Sequence, residues 1–163
     1  MARMRRAQTR LLTELWPGRH PDLPLASPQE ALILASIVER ETAVPEERPR
    51  IAAVFINRLK MGMKLQSDPT VIYDVSSQMG VMDRPLSRAD LVQLTPHNTY
   101  VIDGLPPHPI ANPGRAALQA VLRPAISDEL YFVANGNGGH AFAKTLEEHN
   151  RNVRRLRALE KAP

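Results

Sequence analysis

Leu34-Ala35-Ser36-Ile37-Val38-Glu39-Arg40-Glu41-Thr42 reads as an apolar helix that carries carboxylates into its last turn. Ser27-Pro28-Gln29-Glu30 supplies its start. Ser27 caps, Glu30 stands three residues on to complete a capping box, and Pro28 takes the first helical position. Pro45 closes it, because the residue before a proline is pushed out of helical geometry. At about 100° per residue, Glu39 and Glu41 lie roughly 200° apart and cannot share a face. Glu39 falls beside Ser36 and Arg40, on the more polar side. Glu41 falls among Leu34, Ile37 and Val38, on the side expected to be buried. An acid there is desolvated and sits at the negative end of the helix dipole, and both effects raise a carboxyl pKa. A carboxyl kept protonated near neutrality is what a general acid needs. The same residues also read as a Glu at a frayed helix end pairing with a nearby Arg.

Working outward, residues 2 to 15 look helical, and a Pro-rich connector runs from Trp16 to Ala26. After the Glu41 helix, a second one is expected from about Glu46 to Met61, with Ile51, Val54, Phe55 and Leu59 as its core stripe and Gly62 as its stop. Lys64-Leu65-Gln66 is extended, and Asp68-Pro69 reads as the N-cap and first position of a short helix. Ser87-Arg88-Ala89-Asp90 opens another. Asn112-Pro113 starts a helix through about Leu122. Leu130 to Ala134 and His140 to Ala143 are strand-like, separated by Asn135-Gly136-Asn137-Gly138-Gly139, a hairpin signal. Thr145-Leu146-Glu147-Glu148 is a second capping box, opening a basic final helix. The expected class is α+β: a helix-rich single domain with a small β-hairpin and a long irregular loop segment. Residues 1–26 form its N-terminal helix and connector, and residues 27–160 the catalytic domain.

With 163 residues and 43% apolar content, the chain has enough material for one core, burying roughly 70% of its unfolded surface. It contains no cysteine, so disulfides and thiolate metal sites are excluded. No apolar run approaches the roughly 20 residues that span a bilayer, and the chain is expected to be soluble as it stands. The net charge is +4, with the basic excess at the two ends: Arg3, Arg5, Arg6 and Arg10, then Arg151, Arg154, Arg155, Arg157 and Lys161. None of the seven aromatics interleaves with these runs, so no base-stacking platform for nucleic acid is supported. The runs read as solvated faces, with an anionic polymer or a membrane surface as the alternative.

From His97 to Asn112 the chain shows no periodicity. An irregular stretch of about 15 residues inside a compact domain is usually functional or disordered. Its prolines stiffen it, and Asn98, Tyr100, Leu105 and Pro106 suit a sugar-binding groove: a flat stacking face plus short amide groups. The alternative is ordinary loop packing.

Eight separated blocks occur in order: the one ending at Glu41-Thr42, Val54 to Leu59, Leu65 to Tyr73, Asn98-Thr99-Tyr100, Gly104 to Pro107, Ile110 to Gly114, Tyr131 to Ala134, and Gly138 to Phe142. Together they resemble the endolytic murein transglycosylase family, also called YceG-like, over roughly residues 28 to 155. The resemblance implies a lyase acting on peptidoglycan glycan strands, cutting between N-acetylmuramic acid and N-acetylglucosamine to leave a 1,6-anhydro end. It implies no cofactor and no metal, and no spacing here resembles a metal site. It also implies peptidoglycan synthases as partners. Work would take place at the extracytoplasmic (periplasmic) face of the bacterial inner membrane, reached through a transmembrane segment and a LysM-like region that this chain does not contain.

The family's catalytic glutamate lies in the block matched by Glu39 to Thr42, and Glu41-Thr42 resembles the Glu-Ser pair of other lytic transglycosylases. Two independent readings therefore meet on Glu41. Ordinary glycosidases need two carboxylates. A lytic transglycosylase needs one, because the nucleophile is the sugar's own C6 hydroxyl. Candidate substrate-binding residues are Asn57, Gln66, Asn98, Tyr100, Glu39 and His140. Asn57 and Arg58 also read as a polar pair that satisfies loop carbonyls, Asp68 as a helix cap, and His149 as a brace for a neighbouring loop. A glycan hydrolase using Asp68, Asp74 or Asp103 to activate water, and a non-catalytic binding module, are the rival readings.

Overall fold

In the computed structural model, which describes residues 1–162, the helix opened by Ser27 runs through the middle of the fold. The Ser27 side chain accepts from the Glu30 N–H, Pro28 stands in the first turn, and this helix, α2, spans Pro28–Glu41. The Glu30 carboxylate reaches back to the Ala26 N–H rather than to that of Ser27, so the reciprocal half of the cap is displaced by one residue. Every residue from Ala31 to Val38 is buried. The helix is therefore not one-sided, as the apolar-polar pattern suggested. Ser36, placed on the polar side, is fully buried. Its hydroxyl donates to the Ile33 carbonyl at 2.6 Å and accepts from the Ile110 N–H at 3.0 Å. Both bonds are needed, since an unmet hydroxyl in an apolar interior is costly.

Four helices pack on α2. The first, α1 (Ala2–Leu15), leans on the core through Leu11, Leu12 and Leu15, followed by Trp16 and Leu23 of the connector. The next, α3 (Arg48–Met61), buries Ile51, Val54 and Phe55 and stops at Gly62, whose left-handed φ of 69° lets its N–H close onto the Arg58 and Leu59 carbonyls. Glycine adopts that conformation without a steric penalty. Between them, α4 (Asp68–Val75) and α5 (Arg88–Leu91) lead into the irregular segment. The helix α6 (Arg115–Leu122) then packs against both α2 and α3 through Ala117, Leu118, Val121 and Leu122. Burying each of those larger aliphatic side chains is worth about 1.5–3 kcal/mol.

The hairpin is where the glycine run placed it. Strands β1 (Tyr131–Ala134) and β2 (His140–Ala143) pair antiparallel, Tyr131 opposite Ala143 and Ala134 opposite His140. Phe132 projects edge-on to Phe55, 5.6 Å between ring centres, which ties the hairpin to the α3 core. Thr145 caps α7 (Leu146–Lys161) by accepting the Glu148 N–H, and α7 packs across both strands. The fold is the helix-rich α+β arrangement expected.

Two helix starts differ from expectation. The α6 helix begins at Arg115 with Gly114 in the N-cap position, because the Asn112 side chain is engaged elsewhere and accepts from the Gln8 amide at 2.6 Å. Asp68 is the first residue of α4 rather than its cap. Ser67 holds the cap position without a side-chain capping bond, since its hydroxyl and the Asp68 carboxylate both turn to the cleft described next.

Candidate active site

The last turn of α2 brings Glu41 to the floor of a cleft of about 430 Å³. One wall is Leu65, Gln66 and Asp68 from the entry to α4, with Tyr100 from the irregular segment. The facing wall is Phe132 and His140 from the hairpin and His149 from α7, with Arg58 of α3 behind.

The entry to α4 is shaped by an unusual backbone. Gln66 has a φ of 51°, the left-handed region that non-glycine residues seldom occupy, at a cost of order 1 kcal/mol. A buried hydroxyl cluster maintains it. The Gln66 N–H donates to the Thr99 carbonyl at 3.2 Å, the Ser67 N–H donates to Thr99 Oγ1 at 2.8 Å, and Thr70 Oγ1 donates to the Ser67 carbonyl at 2.6 Å. Thr70 and Thr99 hydroxyls also meet at 2.8 Å. The outcome is that Ser67 Oγ points at the floor and donates to Glu41 Oε1 at 2.7 Å.

Burial pushes the Glu41 carboxyl pKa up to about 7; the Ser67 hydrogen bond pulls it down and the neighbouring Asp68 charge pushes it further up. A carboxyl that loses its proton near neutrality can donate it and take one back within a single reaction cycle. Beside it, the Tyr100 hydroxyl donates to Asp68 Oδ1 at 2.5 Å. Burial and the Asp68 and Glu41 charges keep that phenol well above its ordinary ionisation range, so it is a fixed neutral donor. Arg58 is buried, with Nε on the Leu130 carbonyl at 2.6 Å and Nη1 on the Lys64 carbonyl at 2.8 Å. It lies over the Tyr131 ring, 5.0 Å away, and burial lowers its pKa from the usual guanidinium value. His149 also stacks on Tyr131, 5.0 Å between ring centres; burial, then the Arg58 charge, depresses its pKa.

Of the residues singled out in the sequence, Glu41, Gln66, Tyr100 and His140 converge on the cleft. Asn57, Asn98 and Glu39 do not. The Asn57 amide donates to the Ser127 and Glu129 carbonyls, both at 2.9 Å, and with Arg58 it forms the pair that satisfies loop carbonyls. Asn98 is fully buried: its amide nitrogen donates to the Leu91 and Gln93 carbonyls and its oxygen accepts from the Tyr100 N–H. It braces the loop that presents Tyr100. Glu39 faces the start of α6, where its Oε1 lies 3.8 Å from the Cβ position of Gly114; the helical spacing that buries Glu41 sends Glu39 the other way. Leu105 packs against the core, so the irregular segment contributes Tyr100 alone to the cleft lining.

Ser67 and Glu47 were not singled out in the sequence. Ser67 depends on the Gln66 turn, for which the residue types give no sign. Glu47 comes from the short turn Pro45–Glu47 after α2, where its partner is 93 residues distant: His140 donates to it from both its N–H and its ring.

With this geometry in hand, relatives can be compared. The YceG-like family model matches residues 1–155. A Bacillus subtilis (strain 168) protein named endolytic murein transglycosylase is 46% identical over 125 residues, 77% of this chain and 34% of that protein. A protein of the same name from Streptococcus pneumoniae serotype 2 (strain D39) is 38% identical over 130 residues, 76% of this chain and 23% of that protein. A crystal structure of a yceG-like protein from Listeria monocytogenes superposes with a TM-score of 0.68 at 44% identity, covering 77% of this chain and 39% of that one. The chain thus spans about a third or less of the length of these curated relatives. On the matched residues and the matched fold, the chain belongs to the YceG-like family.

Proposed function

We propose that the chain is the catalytic domain of an endo-acting lytic transglycosylase. It would cut glycan strands of peptidoglycan between N-acetylmuramic acid and N-acetylglucosamine and leave 1,6-anhydro-N-acetylmuramic acid ends. The observation that carries this reading is the desolvated carboxyl of Glu41, held by Ser67 on the cleft floor with its pKa pushed up to about 7. The names of the relatives above support the substrate class.

Glu41 in its protonated form donates to the bridging oxygen, and the bond from that oxygen to C1 breaks. The carboxylate so formed then takes the proton of the C6 hydroxyl of the same sugar as that oxygen closes on C1. The proton returns to Glu41, and the enzyme is ready for another cycle. Because attack is intramolecular, correct placement of the sugar supplies a large part of the rate. Tyr100 and Gln66 on one wall and His140 on the other are the groups positioned to fix it.

A hydrolase reading rests on Asp68, which lines the same cleft. Asp74 is bound to His97 and Asp103 to Lys64, neither in the cleft. In the full-length protein the domain works at the extracytoplasmic face of the inner membrane, beside the synthases whose strands it terminates. Within the described residues, no helix is long and apolar enough to cross a membrane.

Incubating the purified chain with uncross-linked glycan strands and analysing products by mass spectrometry tests the reading. Anhydro ends that vanish with Glu41→Gln support it. Reducing ends favour the hydrolase, and binding without cleavage favours a recognition module.

A further inference from the structure

Glu47 belongs to none of the steps above, yet the geometry of its pairing with His140 is specific. Glu47 leaves the turn that follows α2 and meets the first residue of β2 with both carboxylate oxygens. Oε1 accepts the His140 backbone N–H at 2.9 Å, and Oε2 faces His140 Nδ1 at 2.6 Å. Thr42 Oγ1, next to Glu41 in the chain, donates to the same Oε2 at 3.4 Å. The approach is so close that a Cβ on Gly139 would stand 2.7 Å from Glu47 Oε1, closer than atoms of a side chain and a carboxylate tolerate. A larger residue in place of Gly139 would have to displace the Glu47 carboxylate from this position.

An ionised carboxylate accepts and cannot donate. Burial works against ionisation of Glu47, but the His140 ring and backbone bonds outweigh it and hold the carboxyl below the ordinary range. The proton shared across the 2.6 Å contact therefore resides on Nδ1. In a neutral imidazole that leaves Nε2 as an acceptor. The His140 side chain is 13% exposed and lines the cleft with Tyr100, and among the described residues Nε2 has no hydrogen-bond partner.

Resting on the transglycosylase reading, we propose that Glu47 is a positioning residue that locks His140 in the Nδ1–H tautomer, so that Nε2 accepts a hydrogen bond from a donor of the bound glycan, a sugar hydroxyl or an acetamido N–H. The single Tyr100 O–H is committed to Asp68, so His140 adds an acceptor that the cleft needs for a sugar hydroxyl or acetamido N–H. Because Thr42 shares the Glu47 carboxylate, the wall is fixed relative to the end of the Glu41 helix.

The test uses the Glu41→Gln chain, expected to hold glycan without turnover, uniformly labelled with nitrogen-15. At pH 8 the His140 ring shifts should report the Nδ1–H tautomer. Adding a soluble tetrasaccharide of alternating N-acetylglucosamine and N-acetylmuramic acid should move the Nε2 resonance. A His140 ring found as the Nε2–H tautomer, or an Nε2 signal unmoved while Tyr100 and Ser67 signals shift, overturns the proposal. A tetrasaccharide that moves no signal at all overturns it too. In the active chain, Glu47→Gln keeps an acceptor for the His140 N–H but turns an NH₂ toward Nδ1, which forces the opposite tautomer. We expect kcat/KM to drop at least tenfold, mainly through KM, with the melting temperature changed little. A loss of activity that only follows a loss of melting temperature assigns the pair to scaffolding. Absence of anhydro ends from the unmodified chain defeats the transglycosylase reading, and the tautomer and shift measurements distinguish that failure from this one.

Discussion

Replacing Glu41 by Gln should stabilise the protein in alkaline solution while abolishing turnover. An unfolded Glu ionises near its ordinary value of 4.5, and burial holds the folded group at about 7. Between those values the unfolded chain has released a proton that the native chain still binds. Stability therefore falls as pH rises through this window: the Glu41 contribution is fully present below about 4.5 and lost above about 7. The gap of about two and a half pH units, at 1.36 kcal/mol each, corresponds to ~3 kcal/mol. The carboxyl keeps an opening to the cleft, so solvent screening trims this to about 2–3 kcal/mol. Gln cannot ionise, and its amide oxygen still accepts from Ser67. For a domain of this size the gain is about 5–10 °C in melting temperature at pH 8, and nothing at pH 4. Thermal or urea unfolding of both proteins across pH 4 to 9 measures it. Parallel stability curves for the two would refute the claim that Glu41 is held protonated by burial.

Ser67→Ala removes a hydrogen bond that favours the charged form of Glu41, so the alkaline fall in activity should move up by about one pH unit, visible in a pH–rate profile. Tyr100→Phe deletes the donor to Asp68 but keeps the ring; turnover should drop about tenfold or more with the melting temperature nearly unchanged. Asn98→Ala breaks three loop hydrogen bonds at a fully buried site and should cost about 2–4 kcal/mol in denaturant titration, with activity lost in step.

The Glu41 helix was legible because its signals are local: Ser27, Pro28 and Glu30 at the start, Pro45 after the end, and a 100° step that separates Glu41 from Glu39. The hairpin and the final helix were legible for the same reason, through the glycine run and Thr145. What escaped was set by distant partners. Ser36 looks like a polar-face residue until Ile110 is folded onto it. Asn98 and Tyr100 are both groove-forming types, and only the positions of Leu91 and Gln93 decide that Asn98 turns inward. Gln66 gives no hint of a left-handed backbone, since the hydroxyls that hold it come from Thr70 and Thr99. The pairing of Glu47 with His140 spans the hairpin and the turn after α2 and leaves no local trace beyond a glycine.

Because α2 is enclosed from Ala31 to Val38 by α1, α3, α4 and α6, the amide protons of that stretch should be among the slowest in the chain to exchange with solvent, released only when the whole core opens. Glu41, less than a turn beyond that stretch, is tied to Ser67, so partial melting of the two-stranded hairpin would leave Glu41 and Ser67 in register while the facing wall swings free. A cleft with one firm side and one compliant side can admit a long polymer laterally, by yielding at the hairpin, without loosening the Glu41–Ser67 contact.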